Sequence, residues 1–358
     1  MDFKPEIFSG ERGKIKMVIK FLTEPFVSSM GVDLGTANTI VCVKGEGLLI
    51  KEPSVVAVRK ETGEVLKVGK EARKMLGRTP DSIMAVQPME DGVIHDFEIA
   101  EKMLSYFINK AHQKKKVVKP RIVVCVPSEM TDVERRSVID ATLRAGAREA
   151  YLIEEAMAAA IGVGLPIQEA VGSMVVDIGG GTTEIAVISL GGIVTKRSVK
   201  IAGNKMDEAI VNYIKDEYNL VVGNRTAEEI KINLGSICKS NNDGVVDIRG
   251  RDLVEGLPKS IEIDAAEIKE VLMEPIQGII KAVKLTLDQT PPELLSDILE
   301  RGIVMVGGGA LLTCLDELLS AEIDAPVYVA EDPLNCVANG TCKVLEELDD
   351  LKDILVTS

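Results

Sequence analysis

A duplicated α/β architecture, two domains with a ligand cleft between them, is what this sequence predicts. Three observations carry the prediction. The chain has 358 residues, enough for two domains that each bury a core. A strand–turn–strand occurs twice, as "MGVDLGTANTIVCV" (30–43) and "MVVDIGGGTTEIAV" (174–187), with Met, Val, Asp, Gly, Thr and the closing Val in register. Strand-like and helix-like segments alternate between and after the two copies, the pattern of an α/β fold.

Each copy reads as a strand, a tight turn and a second strand. Each runs on into a further β-rich stretch, "GLLIKEPSVVAV" after the first and "GGIVTKRSVKIAG" after the second. The copies lie about one domain length apart, which marks an internal duplication and not a solenoid repeat. Glycine in such a turn lets backbone N–H groups approach a phosphate with no Cβ in the way. Thr hydroxyls add donors. Thr36, Ala37 and Asn38 in the first turn and Gly180, Gly181 and Thr182 in the second are the candidate phosphate contacts. Asp33 and Asp177, at the strand ends, suit Mg²⁺ held through its waters. Two such hairpins face to face would clamp the β- and γ-phosphates of a nucleotide.

A third glycine run, "GIVMVGGGALL" (302–312), follows an apolar strand and opens a helix, "ALLTCLDELL". Behind two phosphate hairpins, its Gly308, Gly309, Ala310 and Leu311 are expected to pack against a purine. "TAEEIKINLGS" (226–236) reads as a helix with Thr226 as N-cap and Glu229 at N3, a capping box. Its Glu228 and Lys231, one turn apart, point to ribose and adenine, or else form a surface ion pair.

The formal charge of −14 argues against nucleic-acid binding by overall charge. No run of about 18 apolar residues is present, so no segment reads as membrane-spanning. Six Cys and two His show no metal-site spacing, and the cysteines are expected to be buried, reduced thiols of a cytosolic protein. "GKIKMVIKFLTEPF" (13–26) sets Ile15, Val18, Ile19 and Leu22 on one helical face, with Lys14, Lys16 and Lys20 mostly elsewhere. That is either a surface-lying amphipathic helix, a helix packed on the domain, or an unstructured leader. Met1 and Met17 are both open as the start.

The order of phosphate hairpin, connecting helix, second hairpin and adenosine turn resembles the actin-like ATPase superfamily, which includes actins, seventy-kilodalton heat-shock chaperones and sugar kinases. Within it, "DLGTANTIVCVKGEG", "PMEDGVIHDFEIAEKML", "LIEEAMAAAIGVGLP", "GSMVVDIGGGTTEIAVISLGGIV", "RTAEEIKINLGS" and "TPPELLSDILERGIVMVGGGALL" resemble the MreB family of bacterial actins, over about residues 30–346. The resemblance implies a duplicated actin-like (ribonuclease H-like) fold, with four subdomains around a nucleotide cleft. Domain I would be 30–165 (IA 30–50 and 95–165, IB 51–94). Domain II would be 166–325 (IIA, with IIB inserted at about 205–253). Residues 326–347 would return to domain I, between a leader at 1–29 and a tail at 348–358.

By the same resemblance the cofactors are ATP/ADP and Mg²⁺, and Glu228, Glu229, Ile230 and Lys231 line the nucleoside site. The connecting helix offers two acids, Glu154 and Glu155. The second, Glu155, would orient the attacking water with help from the Thr182 hydroxyl, as a weak base giving slow turnover. Relatives usually have Pro where this chain has Ala156, which removes a fixed φ near Glu155. The family also touches lipid, and here Lys114, Lys115 and Lys116 beside Val117 and Val118 in "AHQKKKVVKP" (111–120) would meet anionic headgroups. The implied partners are further copies in filaments, the inner face of the cell membrane, the membrane proteins MreC, MreD and RodZ, and the wall synthases.

Two other readings compete. A chaperone-like or switch-like monomer is one, but a heat-shock chaperone would need a substrate domain where only "DDLKDILVTS" follows. A small-molecule kinase is the other, and no sugar-binding insert or catalytic Asp stands out. A mean hydropathy slightly above zero fits subunits that bury apolar surface head-to-tail, a contact that makes filaments when it does not close.

Overall fold

The computed structural model describes residues 29–112, 119–238, 244–348 and Leu355. The amphipathic stretch at 13–26 and the basic loop residues Lys114 to Val118 lie outside them. Two five-stranded sheets built on one plan dominate the molecule. The first comprises β1 (Ser29–Leu34), β2 (Asn38–Val43), β3 (Gly47–Pro53), β9 (Arg121–Val126) and β10 (Glu149–Glu154), in the order β10-β9-β1-β2-β3. The second comprises β11 (Ser173–Ile178), β12 (Thr183–Ser189), β13 (Gly192–Val199), β17 (Ile303–Val306) and β18 (Val327–Val329), in the order β18-β17-β11-β12-β13. In each, an antiparallel hairpin and its third strand join two parallel strands. Matching strand for strand is the structural form of the repeat seen in the sequence.

Smaller elements sit above each sheet. On the first half these are β4 (Val56–Arg59), β5 (Val65–Val68), the short helix α1 (Lys70–Arg73) and β6 (Ile83–Val86), followed by the two-residue strands β7 (Met89–Glu90) and β8 (Val93–Ile94). Helices α2 (Phe97–His112) and α3 (Asp132–Arg144) then cover the sheet. Thr131 caps α3 in a full capping box with Glu134, which satisfies two otherwise orphaned N–H groups.

On the second half, β12 and β13 lead into α5 (Gly203–Tyr218), β14 (Leu220–Val221), α6 (Asn224–Leu234), β15 (Val245–Asp252) and β16 (Pro258–Asp264). The long α7 (Ala265–Asp288), α8 (Pro292–Arg301) and α9 (Leu315–Ile323) follow. With no Trp available, each half fills its core with aliphatic residues. Met30, Val32, Ile122 and Leu152 project from the strands of one sheet into its core, and Met174, Val176, Ile185 and Met305 from those of the other.

Between the sheets run two helices, one from each side of the repeat: α4 (Glu155–Val163) and α10 (Cys336–Glu346). Ala156, Met157, Ala158, Ala159 and Ala160 are all buried, because α4 is enclosed on every side, and small residues are what such a helix requires. The two helices cross with their backbones in contact. A Cβ on Gly162 would strike the Cys336 carbonyl, and one on Gly340 would strike that of Ala158. Lys343 of α10 donates to the carbonyls of Ile161 and Gly162, at 2.9 and 3.0 Å, filling acceptors left open at the end of α4.

Three local expectations need correcting. Helix α6 begins at Asn224 with Gly223 as its cap and no side-chain capping bond. Thr226 therefore lies in the first turn, where its N–H reaches the Gly223 carbonyl, and Glu229 pairs with Arg225 at 3.0 Å and not with the cap. The glycine run at 307–309 does not open a continuous helix either. It forms one 3-10 turn, Gly308–Leu311, and α9 starts only after Cys314, whose φ of 62° breaks the path. Finally, four of the six cysteines are paired. Cys42 of β2 is bonded to Cys342 of α10 and Cys238 to Cys314, with Cα separations of 6.0 and 5.2 Å. Cys125 and Cys336 remain free and buried. The pairs are remote in sequence, and only the fold brings them together.

Candidate functional site

The turns of the two repeated hairpins meet across one cleft, an open cavity of about 420 Å³, within the size range of small-molecule sites. Their glycines explain how closely. A Cβ on Gly180 would lie 2.8 Å from that of Ala37, and one on Gly181 would lie 2.6 Å from the Thr36 hydroxyl. Thr36 in turn accepts from the Gly92 N–H at 2.9 Å, tying the first turn to the β7–β8 hairpin. The second turn is closed by the Gly179 N–H on the Thr182 carbonyl at 2.9 Å. Its own carbonyls, on Gly179 and Gly180, accept from Gly203 and Asn204 at the start of α5. The start of α5 is thereby seated on the turn, and its first N–H groups are satisfied by the turn's carbonyls.

Most of the residues singled out in the sequence line this cleft: Asp33, Thr36, Ala37, Asn38, Glu155, Asp177, Gly180, Gly181, Thr182, Glu228, Lys231, Gly308, Gly309 and Leu311. Three do not. Glu229 faces outward to Arg225. Ile230 belongs to the core, and Ala310 is buried beneath its turn. Neither Glu228 nor Lys231 is free in the cleft. Lys231 bonds Asp207 at 2.7 Å and the Gly203 carbonyl at 2.8 Å, and Glu228 takes the guanidinium of Arg73 from the other half.

Ile232, Leu311 and Leu334 add exposed apolar surface to the wall of the same cavity, the character of a surface for a flat ring. Sequence reasoning missed Lys51, Asn204, Asp207 and Glu184. Of these, Glu184 carried a signal: it is a lone acid within the apolar strand "TTEIAVIS", and a buried charge is kept only with partners. It has them in the Ser128 N–H at 3.0 Å and the Ser198 hydroxyl.

The two acids at the start of α4 are separated by their partners. Glu154 is held by Lys196 at 2.8 Å and approached by Arg135 at 3.8 Å. Glu155, the next residue, lines the cleft with Asp33 and Asp177. Burial of neighbouring carboxyls is the dominant electrostatic fact of the site. Burial raises Asp33 to about 7 against the opposing charge of Lys51. Burial, then Asp33 and Glu184, raise Asp177 to about 8. Glu155 is pushed well up by burial and by Glu184, Asp177 and Asp33.

Such a donor set fits Mg²⁺, a hard cation that binds one or two carboxylates and keeps most of its waters. Among the described residues no group of three or more acid, His or Cys side chains forms an all-protein cage. Asp33 and Asp177 would thus hold the ion through its waters.

A pH dependence follows. Both carboxyls titrate higher in the fold than the ordinary 3.8. Between about pH 4 and pH 8 the native site therefore keeps protons that the unfolded chain has released, and stability falls as pH rises. Without divalent cation or nucleotide, the melting midpoint is expected to drop by about 1–3 °C from pH 5.5 to 8, as 1–2 kcal/mol would give in a chain of this length. Asp177→Asn should remove much of that slope in a scanning fluorimetry series. A slope unaltered by the substitution would mean that these carboxyls are not its source.

Comparison with known proteins agrees with the geometry. A family model described as MreB/Mbl protein matches residues 27–353. The chain is 50% identical over 326 residues to the cell shape-determining protein Mbl of Bacillus subtilis (strain 168), covering 91% of this chain and 98% of that one. It is 53% identical over 329 residues to the cell shape-determining protein MreB of Escherichia coli (strain K12), covering 90% and 95%. Among solved structures, MreB5 of Spiroplasma citri bound to AMPPNP superposes with a TM-score of 0.85 at 37% identity, covering 91% of this chain and 98% of that chain. Its ADP-bound form gives 0.86 at 39% identity, covering 92% and 98%. The fold is actin-like, and the chain belongs to the MreB/Mbl family.

Proposed function

We propose that this protein is an ATP-binding, slowly ATP-hydrolysing actin-like subunit that polymerises at the inner face of the cell membrane and directs wall synthesis and cell shape. The observation that carries the reading is the pair of repeated hairpins facing each other across the cleft, with Glu155 beside their two aspartates. The division into domains at 30–165 and 166–325, with a return at 326–347, goes with it. The names of the relatives, cell shape-determining proteins, and the nucleotides bound to MreB5 support it.

In this reading the backbone N–H groups of Thr36, Ala37, Asn38, Gly180, Gly181 and Thr182 bind the phosphates. Asp33 and Asp177 hold hydrated Mg²⁺, which when bound neutralises charge on the phosphate oxygens. Glu155 accepts a hydrogen bond from the attacking water and sets its line, with the Thr182 hydroxyl as second partner. Phosphoryl transfer asks for positioning and charge stabilisation more than for a strong base. Glu228 and Lys231 face the ribose, and Leu311 with Ile232 faces the base.

Membrane attachment in this reading rests on the amphipathic stretch 13–26 and the basic loop 111–120, two weak anchors acting together. No helix among the described residues is long and apolar enough to cross a membrane. MreC, MreD, RodZ and the wall synthases are the partners that the family suggests.

The test is ATP turnover per subunit across a range of protein concentrations with Mg²⁺ present. A sharp rise above a threshold concentration is expected, because a filament predicts that assembly activates hydrolysis. A flat specific rate would leave a monomeric switch, and no turnover at any concentration would remove the ATPase reading altogether.

A further inference from the structure

Four charges of alternating sign run along the nucleoside side of the cleft: Arg73, Glu228, Lys231 and Asp207. The last three sit on α5 and α6 of the second half and line the cavity. Arg73 comes from the opposite half, at the end of α1, and its guanidinium donates to Glu228. The pair is about one-third exposed on each side, 38% and 32%, so water reaches it but does not fully screen it. Its geometry requires the present spacing of the two halves, since 155 residues of chain separate its members.

Glu228 has two further cations one turn away on its helix, and both are committed elsewhere: Lys231 to Asp207 and the Gly203 carbonyl, and Arg225 to Glu229. Arg73 is therefore the group that decides where the Glu228 carboxylate points. A nucleoside seated between Glu228, Lys231 and Leu311 would lie beneath this pair.

We propose that Arg73 is a positioning residue of the nucleotide site: by holding Glu228 across the mouth of the cleft it fixes the ribose-side carboxylate and slows nucleotide release. The proposal rests on the nucleotide reading given above. It assigns Arg73 no contact with the reacting phosphates. Opening the cleft breaks the pair, so the pair resists opening and closes over whatever nucleotide is bound.

The experiment loads the full chain with a fluorescent ADP analogue and Mg²⁺, and follows release after addition of excess ADP. Wild type, R73K, R73A and R73E are compared, each at low and high salt. Saturable binding to wild type tests the nucleotide reading, and its absence overturns both. Given binding, R73A is expected to release the analogue about five-fold faster, the scale of a partly exposed ion pair. R73K should fall between wild type and R73A, and R73E should be fastest, because it adds repulsion. High salt should speed release from wild type and leave R73A nearly unchanged. A series whose rates lie within two-fold of one another, or whose order ignores charge, overturns the proposal while leaving nucleotide binding intact.

Discussion

Glu155→Gln is expected to lower ATP turnover by about two to three orders of magnitude, the usual contribution of a positioned acid or base. Nucleotide affinity should stay within a few-fold of wild type. The amide keeps the volume and one acceptor, but it cannot take up the charge that the carboxyl would carry beside bound Mg²⁺, and so it orders the attacking water less well. Glu154→Gln is the control, since its carboxylate is engaged by Lys196 and Arg135. It should leave turnover within about three-fold, at some cost in stability from the cation left unpaired. Single-turnover hydrolysis with pre-bound ATP separates the two. Equal losses in both variants would mean that the assignment within the acid pair is wrong.

Gly340→Val is expected to be the most damaging single substitution in the fold. Overpacking a core with extra methylenes ordinarily costs 1–3 kcal/mol, roughly, because side chains can shift. Here the obstacle is backbone, the Ala158 carbonyl, and α4 can withdraw only by moving Glu155 with it. A loss of about 3 kcal/mol or more follows, seen as a lowered denaturant midpoint or as insoluble protein. Where Gly340→Val does not fold, Gly340→Ala provides the milder measurement. If Gly340→Ala melts with wild type, the close crossing of α4 and α10 is not needed.

The features of the site that were legible in the sequence are those imposed by local backbone chemistry. A turn that meets another backbone this closely excludes Cβ, and so Gly180 and Gly181 announce themselves next to Asp177. The repeat of that turn around Asp33 announced a two-fold plan, and the matching sheet orders bear out the duplicated α/β class. What stayed hidden depends on distant segments meeting. Asp207 reads as an ordinary acid on an amphipathic helix until Lys231 is seen beside it. Arg73 reads as a surface charge until the other half arrives. Lys51 lies in an unremarkable strand, yet it reaches Asn335 at 2.9 Å across the joint of the two halves.

Helix registers failed for a related reason. The pattern around Thr226 satisfied a capping box, but Asn224 and Arg225 are equally compatible with helix, and Gly223 takes the cap. At Cys314 the interruption comes from tertiary links, the disulfide to Cys238 and the Ser236–Thr313 bridge, which no local propensity encodes.

The crossing of α4 and α10 has a mechanical consequence. At Gly162 and Gly340 the two helices touch backbone to backbone, and no compressible side chain lies between them. Were the molecule to open by rotation about this crossing, the crossing would be its fulcrum. Motion then scales with distance from it: a small turn at the glycines is a modest shift for Glu155, one helix end away, and a larger sweep for the far rim of the cleft. Leverage of this kind lets a weak contact at the rim govern a stiff body. The work needed to open the molecule is concentrated where the lever arm is longest.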